Sequence, residues 1–84
     1  MPAVTQRVPA PGLHKKFCDN LKALRREKAW TQEIAAKRCR MTQPQYCDIE
    51  TGRFGVKLDT VERIARGFGV DPAELLQQRE VAAA

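Results

Sequence analysis

A chain of 84 residues makes one domain, and a domain of that size has a modest core. Hydrophobic residues at 43% and charged residues at 30% place it among ordinary globular proteins and exclude a disordered chain. The formal net charge of +5 favours an anionic partner, and no apolar run approaches the roughly 20 residues of a membrane-spanning helix.

Cys18, Cys39 and Cys47 stand 21 and 8 residues apart, and His14 is the one histidine. A zinc site needs four ligands at recognisable spacing, so no metal is expected. An odd cysteine count without a signal-peptide pattern points to reduced thiols in a cytoplasm rather than a secreted disulfide framework. The chain has no serine, and no cysteine–histidine spacing suits a nucleophile. Neither catalysis nor a cofactor is expected.

Residues 1–12 carry Pro2, Pro9, Pro11 and Gly12 without helical periodicity, the composition of a flexible arm. A first helix is expected over about 14–28, because Phe17, Leu21 and Leu24 recur at i, i+4 and i+7. Thr31 is a good N-cap for a short second helix, about 32–39, and Thr42 for a third, about 43–50. Pro44 falls in the first turn of that third helix, where its missing N–H costs nothing, and Gly52 supplies a left-handed end. A loop from Arg53 to Lys57 leads to a fourth helix, about 58–68, with Leu58, Val61, Ile64, Ala65 and Phe68 on one side and Gly69 as its stop. Asp71-Pro72-Ala73-Glu74 reads as a capping box opening a fifth helix, about 72–79, and 80–84 form a tail. No stretch alternates apolar and polar residues as a half-buried strand does. The expected fold is therefore all-α, a compact five-helix bundle over 13–79.

Two short helices separated by about three residues, each opened by threonine, form a helix-turn-helix. With Tyr46 and Ile49 buried, the 100° step of a helix turns Gln43, Pro44, Cys47 and Asp48 outward or to the edges. Cys18 and Cys39 suit small core positions, Cys47 a place near the surface, and Trp30 a packing role pinning the first two helices. Arg53 and Lys57, in the loop after the third helix, are candidates for contact with phosphates.

Over about Phe17 to Leu76 the chain resembles the Cro/repressor-type (XRE-like) helix-turn-helix family of bacteria and their phages. The resemblance rests on Leu24-Arg25, Thr31-Gln32-Glu33, Ala36, Ile49-Glu50-Thr51-Gly52, Leu58, Val61-Glu62-Arg63-Ile64-Ala65 and Phe68-Gly69-Val70, all in register. It implies sequence-specific binding of double-stranded DNA by a transcriptional regulator, in particular a repressor, as a weak homodimer on a palindromic operator. Leu75, Leu76 and Val81 are the apolar material on offer for a C-terminal interface. Carried over by position, Gln32 would touch a phosphate and brace Gln43, which would read a base edge, adenine being the usual partner. Thr42 and Thr51 match backbone-contacting positions, Gln45 and Asp48 match variable exposed ones, and Arg25 with Glu50 matches a salt bridge between helices 1 and 3. Four departures stand out. Arg40 occupies a turn position that is often glycine, which requires either a different turn or a strained left-handed arginine. At Pro44 a base contact is lost or becomes purely apolar, Asp48 either accepts from a cytosine N4 or sets a negative charge where phosphates should pass, and Ala35 replaces a usual leucine. Pro44 and Asp48 motivate a second reading, an antitoxin-like protein-interaction module with little DNA affinity.

Overall fold

The computed structural model describes residues 12–77. Apart from Gly12, the expected arm lies outside the described residues, as do positions 78 and 79 of the fifth helix and the whole 80–84 tail. Among the described residues there are four α-helices: α1 (Leu13–Glu27), α2 (Gln32–Arg38), α3 (Gln43–Glu50) and α4 (Leu58–Phe68). No strand occurs among them.

The threonine caps act as the sequence suggests. Thr31 Oγ1 accepts from the Ile34 N–H at 3.1 Å, and Thr42 Oγ1 accepts from the Gln45 N–H at 3.2 Å. All four helices end alike, in a residue with positive φ: Ala29 (58°), Arg40 (60°), Gly52 (80°) and Gly69 (73°). Beyond each, the next N–H reaches back into the last turn, as in Trp30 N–H to Arg25 O at 3.1 Å and Met41 N–H to Ala36 O at 3.0 Å. This is the Schellman closure, which satisfies carbonyls that the helix leaves open. Gly52 and Gly69 adopt it without penalty, whereas Ala29 and Arg40 carry a Cβ into the left-handed region at a cost of roughly 1–2 kcal/mol each. Of the two turns open to Arg40, the structure takes the left-handed arginine.

The core gathers Phe17, Leu21 and Leu24 of α1, Ala35 and Ala36 of α2, Tyr46 of α3, and Val61, Ile64, Ala65 and Phe68 of α4, with Cys18, Cys39 and Leu75. Burying a large apolar side chain contributes about 1.5–3 kcal/mol, so this set is the main source of stability. Burial pushes the Cys39 thiol up to about 11 and raises Cys18 as well, so both stay protonated. Helices α2 and α4 meet at Gly67, where a Cβ would lie 2.6 Å from the Arg38 carbonyl oxygen.

Two expectations are corrected and one is extended. The fifth helix is a 3-10 turn, Pro72–Leu75, entered by Asp71 accepting from the Ala73 N–H at 2.8 Å. Buried Asn20 ties this segment to α1: its Nδ2 donates to Leu75 O at 2.9 Å and Gln77 O at 2.8 Å. Leu58 does not join the core side of α4; as the first residue of that helix it is 79% exposed. Trp30 pins α1 to α2 as expected, Arg25 Nη1 donating to its carbonyl at 2.9 Å and Arg38 lying over its ring, and it also packs on Phe68 of α4, ring centroids 5.0 Å apart.

Candidate nucleic-acid interface

Helix α3 is held at both ends by its own residues. The Thr42–Gln45 capping box closes its N-terminus: Gln45 Oε1 accepts from the Thr42 N–H at 3.0 Å while Thr42 receives the Gln45 N–H. At the far end Thr51 Oγ1 donates to Cys47 O at 2.8 Å. Tyr46 is fully buried, and Ile49 is half-buried against the core. Gln43, Pro44 and Gln45 are consequently exposed, with Cys47 and Asp48 half-buried at the edges.

Beneath that face lies a network centred on Glu50, whose side chain is 2% exposed. Arg25 Nε donates to its Oε2 at 2.7 Å, Gln32 Nε2 to its Oε1 at 2.7 Å, and the Tyr46 hydroxyl to Oε2 at 3.1 Å. Burial alone would raise the Glu50 carboxyl, but the Arg25 guanidinium, the Gln32 amide and the Tyr46 hydroxyl hold it below its ordinary value. Burial, with the neighbouring carboxylate, raises Tyr46, which stays a neutral donor. Arg25 Nη1 also donates to Trp30 O at 2.9 Å. Helices α1, α2 and α3 thus share one buried charge, fully hydrogen-bonded, which fixes their mutual orientation.

The network changes the expected role of Gln32. Its amide nitrogen goes to Glu50, because a buried carboxylate needs donors for both oxygens, and it does not brace Gln43. The Gln43 side chain forms no hydrogen bond with the described residues. Asp48 faces Arg53 at 3.6 Å, a solvent-exposed pair that offsets its negative charge in part. Lys57, the N-cap residue of α4, is exposed. The structure therefore brings Thr42, Gln43, Pro44, Gln45 and Asp48 onto or beside one helix face, with Thr51 at its end and Arg53 and Lys57 in the loop that follows. Tyr46 and Asn20 escaped sequence reasoning as polar partners. Asn20 falls at i+3 from Phe17 and could have been found there, since a polar residue on an apolar stripe must reach a buried partner.

A short, doubly capped helix presenting polar groups outward, locked to the helix before it, defines a helix-turn-helix of the DNA-binding kind. The chain belongs to the helix-turn-helix domain family, whose profile matches residues 17–78, and within it to the Cro/repressor-type (XRE-like) transcriptional regulators. It is similar to control protein C.MunI from Mycoplasma sp, with 35% identity over 66 residues, 77% of this chain and 89% of that protein. Among solved structures it resembles the hypothetical transcription factor NHTF from Neisseria, with a TM-score of 0.75 and 26% identity over 89% of this chain and 90% of that one. The restriction-modification controller protein C.AhdI from Aeromonas hydrophila gives a TM-score of 0.69 and 27% identity, covering 74% and 94% respectively. The matched segment spans 48–57% of the length of other curated relatives. No described helix is long and apolar enough to cross a membrane.

Proposed function

We propose that this protein is a sequence-specific repressor of the cytoplasm that lays α3 in the major groove of duplex DNA. One observation carries the reading: Gln43 is exposed and, among the described residues, without a hydrogen-bond partner at the start of α3, while Tyr46, three residues on, is fully buried. That amide is free to make the paired hydrogen bonds by which glutamine reads adenine. Thr42, Gln45, Thr51, Arg53 and Lys57 serve the phosphate backbone, which supplies much of the affinity, and Gln32 stands beside them at the start of α2. Pro44 offers apolar contact, and Asp48 positions Arg53. The likeness to C.AhdI, a restriction-modification controller protein, supports a role in controlling a restriction-modification system. Arg53, 3.6 Å from Asp48, lessens the electrostatic motive for a module without DNA affinity.

The active species is a homodimer on a palindromic site. Leu75 is fully buried and unavailable for the expected C-terminal interface, and Val81 lies outside the described residues. Leu13 (59% exposed) and Leu58 (79% exposed) instead flank an apolar groove of about 310 Å³ floored by Phe17, Val56, Val61 and Leu76. Projecting leucines beside a groove suit a two-fold contact, in which each copy gives and receives the same side chains. Selection of bound fragments from random duplex DNA at physiological salt tests the reading. The expected result is a two-fold-symmetric consensus whose affinity falls steeply with salt; enrichment of no sequence would overturn it.

A further inference from the structure

Four arginines from two separate segments of the chain converge on one concavity between α2 and α4. Arg38 ends α2, Arg40 lies in the turn beyond it, and Arg63 and Arg66 are one turn apart on α4. With Gly67 they line an open space of about 390 Å³. The close approach at Gly67 brings these two helix ends together, since any larger residue there would hold α2 and α4 apart. Like charges concentrated this way repel each other and need a reason. Basic residues in a last helical turn offset the helix dipole, which accounts for Arg38 and Arg66. It does not account for Arg63 inside α4 or Arg40 beyond α2.

Two further observations point outward. Arg40 is exposed, and its side chain packs against nothing in the core. Arg38 lies over the Trp30 ring, 5.2 Å from its centroid, a cation–π contact that restrains its guanidinium. The acid beside this cluster is Glu62, a distant 3.9 Å from Arg66 Nη2, with both side chains exposed. Among the described residues, neither Arg40 nor Arg63 has an ion-pair partner. Planar guanidinium groups converging on one space match the oxygens of phosphate.

We propose that Arg38, Arg40, Arg63 and Arg66 form a phosphate-binding pocket distinct from the base-reading face. The phosphates come either from DNA backbone flanking the α3 footprint, since Arg40 precedes Gln43 by three residues, or from a soluble polyphosphate. The first source rests on the DNA-binding reading above; the second does not.

The test compares wild type with the triple variant Arg40→Gly, Arg63→Gln, Arg66→Gln, which keeps Arg38 on Trp30 and relieves the strained turn. A charge-matched control, Lys16→Gln, Lys22→Gln, Arg26→Gln, removes three positive charges elsewhere. Calorimetry with inorganic tripolyphosphate and salt titrations with duplex DNA are run on all three, with circular dichroism to verify folding. The pocket predicts at least a tenfold loss of tripolyphosphate affinity in the triple variant and little loss in the control. For the DNA source, the slope of log affinity against log salt also shrinks by about 0.9 for each phosphate that the variant no longer neutralises. Unchanged DNA binding beside abolished tripolyphosphate binding assigns the pocket to a soluble ligand. If wild type binds no DNA yet shows the arginine-dependent tripolyphosphate effect, the pocket stands while the regulator reading falls. Equal losses in variant and control, or no difference from wild type with either probe, overturns the pocket.

Discussion

Arg25 of α1 and Glu50 at the end of α3, 25 residues apart, meet at 2.7 Å with the carboxylate almost wholly removed from water. A single buried charge shared by three helices makes the pair the hinge pin of the motif. Arg25→Ala leaves that carboxylate uncompensated, and removing one partner of a buried pair costs about 3–5 kcal/mol. Urea denaturation should show a lower midpoint with an unchanged slope. A loss under about 1 kcal/mol would mean that Gln32 and Tyr46 suffice.

The same carboxylate sets the acid limit of stability. Its folded pKa lies below the ordinary 4.5, so the unfolded chain binds its proton first as acid is added. The contribution of Glu50 is complete above about pH 4.5 and is lost as pH falls through the lower folded value. Glu50→Gln should lower stability at pH 7 and flatten the profile below about pH 4.5. Parallel profiles for wild type and variant between about pH 3 and 7 would refute this origin.

Base reading and phosphate contact separate in DNA-binding measurements. Gln43→Ala should cost roughly 1–3 kcal/mol on the selected site and relax preference at one base position. Lys57→Ala should weaken specific and random DNA alike and reduce the salt slope by about 1. Identical behaviour of the two variants would show that Gln43 reads no base.

The packing of α2 on α4 gives an inverted expectation at Gly67. In an ordinary helix interior, glycine to alanine stabilises by up to about 1 kcal/mol. Here the new methyl would meet the backbone of Arg38 and Cys39 at 2.6–3.0 Å, which no side-chain rotation relieves. Gly67→Ala should destabilise by about 1–3 kcal/mol, the usual penalty for overpacking. A raised melting temperature would contradict the close approach.

Local signals were legible in the sequence: the Thr31 and Thr42 caps, the glycine stops at 52 and 69, and the Phe17–Leu21–Leu24 stripe all stand where the pattern put them. The exposed face of α3 followed from them by helical geometry. What escaped depends on contacts between distant segments. Asn20 ties down the C-terminal turn from 55 residues away, and Glu50 takes the Gln32 amide nitrogen as a donor. Leu58 fits the period of α4 but precedes the part of that helix which reaches the core. The arginine pocket joins segments 38–40 and 63–66, which no local pattern connects.

Leu58 offers the sharpest test of the dimer. Exposed as it is, replacing it changes little inside the monomer, and surface substitutions of that kind stay within about 0.5 kcal/mol. In a two-fold contact each Leu58→Asp copy would bury a carboxylate against the apolar groove of the other, so the penalty enters twice. Sedimentation should show association of wild type at high concentration and monomers of the variant, with melting temperatures unchanged. On DNA the variant should keep its affinity for an isolated half-site and lose the gain that a second, correctly spaced half-site confers on wild type. Equal sedimentation and an equal two-site gain would exclude this groove as the interface and move the two-fold contact to another surface.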